Sequence, residues 1–177
     1  MKTQSEDARE RAKKIKLVIF DVDGVMTDGG ITIDEKGTES KSFNVRDGHG
    51  VKMMVRSGIR AAIVTGRTSK VVEYRGKELG IQYIRQGALD KSEVTGLLIK
   101  EAGVLPEEVA FMGDDLVDIP AMKMVGLAAA PSDSVGEVIE CAHVVTDLAG
   151  GHGAVRQLCE FIMKTKGVWE EAVKRYK

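Results

Sequence analysis

The sequence predicts an α/β fold: a doubly wound, mostly parallel sheet with a β-hairpin inserted after its first strand. Three observations carry this. Between residues 16 and 165, short apolar runs alternate with stretches of helical period, the pattern of βαβ crossovers and of a sheet covered on both faces. One stretch breaks the pattern: GGITIDEKGTESKSF at 29–43 has two alternating runs, ITI and ESKSF, around the turn-like DEKG. Finally, acidic residues recur just past the apolar runs, where the strands of an open parallel sheet end and ligands bind.

In chain order, residues 1–15 are a charged segment, read as a short helix or as disorder. KLVIFD at 16–21 is the first strand, followed by the hairpin at 29–43 and a helical pattern at 48–57. RAAIVT at 60–65, QYI at 82–84, VAFM at 109–112, GLAA at 126–129 and HVV at 143–145 are the later strands. Helices are expected at 69–79, 91–102, 119–125, 135–141 and 154–164. These form one domain over 16–165, with no internal repeat or linker, and a tail at 166–177, KGVWEEAVKRYK, that carries the only tryptophan. Its simplest reading is a frayed surface helix.

The bulk composition excludes several function classes. The 177 residues are 43% hydrophobic, enough for one well-buried domain and short for two. A net charge of -1 offers no electrostatic footprint for nucleic acid or an anionic membrane. Cys141 and Cys159 lack the spacing of a disulfide framework or a zinc site and read as buried thiols in a reducing compartment. No apolar run approaches a membrane span, and MKTQSEDARERAKK lacks the apolar core of a signal peptide, so the expectation is a cytoplasmic protein.

Chemistry converges at the strand ends. The first strand ends at Asp21 with Asp23 two residues on, the second at Thr65-Gly66-Arg67, and VAFM runs into Gly113-Asp114-Asp115 with Asp118 following; Lys91 opens the helix after the third strand. Separately, Asp-x-Asp is often a surface turn and Thr-Gly-Arg a helix cap. Together on one edge they form a pocket with up to five carboxylates and one lysine, which cannot stay ionised without further positive charge. The ligands are hard oxygens, so magnesium fits better than zinc or copper, and magnesium commonly shares its shell with a substrate phosphate. Phosphoryl transfer then assigns roles: Asp21 as nucleophile, forming an aspartyl-phosphate, and Asp23 as the acid that protonates the leaving alkoxide and the base that deprotonates water. Thr65, Gly66 and Lys91 are donors to the phosphoryl oxygens. Asp114 is expected to hold the metal, with Asp115 and Asp118 in its first or second shell. His49, His143 and His152 lack comparable support and read as structural.

DVDGV, TGR, Lys91 and GDDLVD resemble the four motifs of the haloacid dehalogenase superfamily of phosphatases, whose fold is Rossmann-like. The likeness runs from Lys16 to the tail. MTDGGI, FNVRDGHGV, IVTGR, QGALDK, VAFMGDDLVD and LAGGHGAVRQ look like the capless phosphatases that act on 3-deoxy-D-manno-octulosonate 8-phosphate, a step in making lipopolysaccharide precursors. Met26 stands where leucine is more usual, a volume-conserving change. The resemblance implies magnesium held by Asp21, Asp23 and Asp114, a homotetramer in which the hairpin packs against neighbours, and a tail able to fold over an active site. The spacing supports this independently: only a hairpin, a helix and a strand separate Asp21 from Thr65, which leaves no room for a cap, so a neighbouring subunit should wall the site.

A substrate carrying phosphate and carboxylate calls for arginines, and Arg46, Arg67, Arg75 and Arg156 are the candidates. Arg67 is favoured, because relatives acting on nine-carbon sugar acids tend to carry glutamate after the Thr-Gly. Arg156 follows a glycine-rich loop at a helix start, where backbone amides can hold an anion. The competing readings are an acylneuraminate or KDN 9-phosphate phosphatase, a phosphorylation-controlled receiver, and a non-catalytic binding module.

Overall fold

The computed structural model describes residues 6–177. Six parallel strands form the sheet: β1 (Leu17–Phe20), β4 (Arg60–Val64), β5 (Tyr83–Arg85), β6 (Val109–Met112), β7 (Leu127–Ala130) and β8 (Val144–Val145), in spatial order β5-β4-β1-β6-β7-β8. The remaining pair, β2 (Thr32–Ile33) and β3 (Glu39–Ser40), is the expected antiparallel hairpin.

Helices cover both faces. The chain moves outward from β1 to β4 and β5 through α2 (Val45–Arg56) and α3 (Lys70–Leu79). It then returns past β1 through α4 (Lys91–Ala102) to β6, and goes on through α5 (Ile119–Lys123) and α6 (Gly136–Cys141). Reversal of direction at β1 puts the two crossover sets on opposite faces. The alternation of β1 shows it: Val18 and Phe20 pack among Met54, Val72 and Val155, while Leu17 and Ile19 pack among Leu98, Ala121 and Met122. β1 is thus buried on both sides, and the crevice at its carboxyl end lies between β4 and β6.

The first face is completed by α1 (Glu6–Lys14) and α7 (Ala154–Thr165). α1 settles the alternative left open for the N-terminal segment. Its Ala8 and Ala12 are fully buried, so residues 6–14 are a docked helix, while residues 1–5 of that segment lie outside the described residues. The tail forms α8 (Trp169–Val173) and a 3₁₀ turn; Trp169 lies beneath the Lys164 ammonium at 4.8 Å and Tyr176 against His49. It therefore packs on α2 and α7 of its own chain rather than fraying.

α2 begins at Val45, three residues before the expected start. Asn44 caps it, its side chain accepting from the amides of Arg46 and Asp47. Gly48, the expected start, and Gly50 sit inside the helix, where neighbours come close: a Cβ on Gly50 would lie 3.1 Å from the Arg156 Cα. The contact is locked by Asp47, 3% exposed, whose carboxylate accepts from the amides of Gly153 and Arg156 at 3.1 and 2.7 Å. Asp47→Ala is expected to cost about 1–3 kcal/mol by orphaning two buried amides, and to lower the melting temperature by roughly 3–10 °C. An unchanged thermal melt would mean that this clamp does not hold α2 to α7.

Candidate active site

The acids expected at the strand ends converge. Asp21 directly follows β1, and Asp114 lies two residues past β6; because Phe20 is in register with Met112, both leave the sheet side by side. Thr65 directly follows β4, on the other side of β1. Lys91 is the first residue of α4, held there by its cap Asp90, which accepts from the amides of Ser92 and Glu93. With Asp23, Gly66, Arg67 and Asp115, these residues line an open pocket of about 390 Å³ at the carboxyl end of the sheet.

The buried centre is an ion-pair triad. The Lys91 ammonium lies 2.6 Å from Asp118 Oδ1 and 3.0 Å from Asp21 Oδ2, and the side chains are 4%, 0% and 7% exposed in that order. Asp118 Oδ2 accepts from the amides of Asp114 and Asp115 at 3.0 and 3.2 Å, so this residue spends both oxygens on holding the lysine and shaping the loop. Asp115 is exposed and caps the 3₁₀ turn at Leu116–Asp118 through the Leu116 amide.

Among the described residues, two buried carboxylate oxygens are left without a partner: Oδ1 of Asp21 and Oδ1 of Asp114. Carboxylate oxygens of Asp21, Asp114 and Asp118 lie within 4.8 Å of one another. Burial, and then the Asp118 charge, push the Asp21 carboxyl up to about 6 despite the opposing pull of Lys91. Burial, with Asp21 and Asp118 behind it, pushes Asp114 up to about 7. Orphaned hard oxygens on crowded, reluctantly ionised carboxyls are what a divalent cation fits. Gly24 makes room for the arrangement: at φ +87°, a Cβ there would lie 2.0 Å from Asp114 Oδ2.

The Asp23 carboxylate is not in that cluster. It pairs with Lys41, and its Oδ2 lies 3.8 Å from Arg67 Nε. Glu39 accepts from Arg67 Nη2 at 3.0 Å and lies 3.3 Å from the Lys41 ammonium. Glu39 and Lys41 come from the hairpin and were not foreseen, although the alternation in ESKSF places both on one face. Asp47 was also missed; it lay inside FNVRDGHG without a role.

Of the four arginines, only Arg67 lines the acid pocket. Arg46 and Arg156 line a separate cavity of about 660 Å³ between the starts of α2 and α7, and Arg75 pairs with Glu78 beside Phe43. Two amides at the start of α7, where a substrate anion was expected, those of Gly153 and Arg156, donate to Asp47 instead. The histidines stay outside the pocket; His143 Nδ1 accepts from the Ala128 amide. The tail does not line the pocket either.

Comparison with known proteins agrees with this geometry. Residues 84–158 match the family of haloacid dehalogenase-like hydrolases. The chain is 44% identical over 168 residues to the 3-deoxy-D-manno-octulosonate 8-phosphate phosphatase of Escherichia coli (strain K12), covering 95% of this chain and 89% of the relative. The crystal structure of the phosphatase of that name from Yersinia pestis superposes with a TM-score of 0.91 at 44% identity, covering 93% of this chain and 89% of the other. The enzyme of the same name from Moraxella catarrhalis, solved in complex with magnesium ion, phosphate ion and KDO, superposes with a TM-score of 0.96 at 37% identity, covering 98% of this chain and all of the other. The chain therefore belongs to the 3-deoxy-D-manno-octulosonate 8-phosphate phosphatase family of the haloacid dehalogenase-like hydrolases.

Proposed function

We propose that this chain is a magnesium-dependent phosphomonoesterase that converts 3-deoxy-D-manno-octulosonate 8-phosphate to the free sugar acid and phosphate. The observation that carries the reading is the pair of orphaned oxygens on Asp21 and Asp114, beside Lys91, at the carboxyl end of β1. Asp21 and Asp114 would hold magnesium, which when bound would draw the substrate phosphate to the acids and offset its charge.

The chain's own residues perform the transfer. Asp21 attacks phosphorus as the bond from phosphorus to the sugar's C8 oxygen breaks, and Asp23, in its acid form, gives that oxygen its proton. Thr65, the Gly66 amide and Lys91 line the same pocket and donate to the phosphoryl oxygens. Asp23, now a carboxylate, takes a proton from water as the water oxygen bonds to phosphorus and Asp21 leaves. Phosphate is released with both aspartates restored. Asp118 positions Lys91, and Arg67 at the pocket mouth faces the sugar acid's carboxylate.

Phosphate release from 3-deoxy-D-manno-octulosonate 8-phosphate, assayed beside N-acetylneuraminate 9-phosphate, is expected to favour the first strongly. It should vanish with chelator, and Asp21→Asn should lower it by about four orders of magnitude while leaving the fold intact. Release from the nine-carbon ester alone would move the substrate and keep the mechanism; wild-type turnover by Asp21→Asn would refute the nucleophile.

The acid cluster also predicts a pH dependence. Asp21 and Asp114 bind protons more tightly folded than unfolded, their carboxyls rising from 3.8 to about 6 and about 7. The metal-free chain should therefore lose stability as pH climbs across that range. Magnesium displaces those protons, so its stabilising shift in melting temperature should be small near pH 5 and grow towards pH 8, with apparent affinity rising up to about tenfold per pH unit for each proton displaced. Equal shifts at both ends would mean that the metal does not meet these carboxyls.

Assembly follows from the same open pocket. We propose a homotetramer, working in the cytoplasm and without nucleic-acid or membrane partners. Three features support it: the two-stranded hairpin exposes Ile31 and Ile33 at 53% and 56%, the pocket has no cap, and no described helix is long and apolar enough to cross a membrane. Light scattering should give the mass of four chains, and a fully active monomer would overturn the assembly.

A further inference from the structure

Lys41 is out of keeping with its surroundings. Ser40 and Ser42 on either side are exposed, as is most of the hairpin, yet the Lys41 side chain is 2% exposed. A buried ammonium is costly unless paired, and its ion-pair partners are Asp23 and Glu39. Lys41 does not line the acid pocket, so it stands behind Asp23 rather than against a substrate. Its contact is with one oxygen, Asp23 Oδ1. The other, Oδ2, is 3.8 Å from Arg67 Nε, beyond hydrogen-bonding distance, and is left for proton transfer.

We propose that Lys41 is a positioning residue for the acid–base step, fixing the Asp23 carboxyl with one oxygen tied back and the other turned to the leaving oxygen. This rests on the reading of Asp23 as the acid and base. Proton transfer requires the acid within about 3 Å of the oxygen it serves, and an aspartate two residues past the strand end has its own torsions to wander through. The tie comes from the hairpin, an element that otherwise faces outward, so the hairpin contributes to turnover as well as to any packing between copies.

Lys41→Met should lower kcat on 3-deoxy-D-manno-octulosonate 8-phosphate by about ten- to a hundredfold with KM little changed, a share of the full contribution of an acid–base group. Lys41→Arg should recover much of the loss. The first-turnover burst with p-nitrophenyl phosphate should stay near wild type, because that leaving group departs as a stable anion and needs no proton. Asp23→Asn combined with Lys41→Met should be no slower on the sugar phosphate than Asp23→Asn alone. Unchanged kcat in Lys41→Met, an equal loss of the p-nitrophenyl phosphate burst, or additive losses in the double variant would each overturn the positioning role. If Lys41→Met melts early, Lys41→Gln, which keeps a donor without the charge, takes the same tests. Wild-type turnover of the sugar phosphate by Asp23→Asn would instead overturn the acid–base reading on which the proposal stands.

Discussion

The site depends on one buried cation. Lys91 ties together three pieces of chain that the sheet brings to one edge: Asp21 after β1, Asp118 in the turn after β6, and the first residue of α4. Each of these groups alone would be a charge stranded out of water, at a cost of several kcal/mol by order of magnitude. Together they satisfy one another, and Asp118 passes the order on to the Asp114 and Asp115 amides. The triad is still one negative charge in excess, and a third acid, the half-buried Asp114, stands beside it. The packing that makes the triad rigid therefore also leaves a deficit that only another cation removes, and binding of metal follows from the fold instead of being added to it.

A second line of support reaches the acids from behind. FNVRDGHG and GGHGAVR, remote in sequence, meet through Asp47, whose carboxylate caps the start of α7. The loop leading into α7 then touches the acid loop: the Gly151 amide donates to the Val25 carbonyl at 3.0 Å, within the turn that carries Asp23 and Gly24. These motifs contact none of the paired acids at the pocket centre. In this structure they brace the loop that follows β1 from behind.

What was legible in the sequence was whatever local periodicity and strand order control. The sheet, its two covered faces, α4 to the residue, and the meeting of Asp21, Thr65, Lys91 and Asp114 all follow from strands that must end on one edge. Contacts governed by tertiary packing were not legible. The start of α2 lies earlier than expected because Asn44 caps the helix, and Gly50 within it admits the α7 backbone. The start of α7 read as an anion site, and it is one, but its anion is the chain's own Asp47. Arg46 and Arg75 were candidates by residue type, and Arg156 also by its place after a glycine-rich loop, but neither ground says which side of the molecule a helix turns towards the pocket. Lys41 and Glu39 were hidden by the hairpin's polarity: in a ribbon exposed over most of its length, an inward charge looks like any other.

Counting charges at the pocket explains why metal and substrate belong together. Asp21, Asp23, Glu39, Asp114, Asp115 and Asp118 face three cations, Lys41, Arg67 and Lys91. A phosphate monoester brings about two further negative charges, and two like charges 4 Å apart repel by about 4 kcal/mol at the effective dielectric of a protein surface. Without a divalent ion, these acids would repel such an ester. With one, the same acids would help to hold it, because the ion's charge would offset that of both carboxylates and phosphate. An excess of acid, which taken alone would point to a site for cations only, is thus compatible with a phosphorylated anion once a divalent ion is bound.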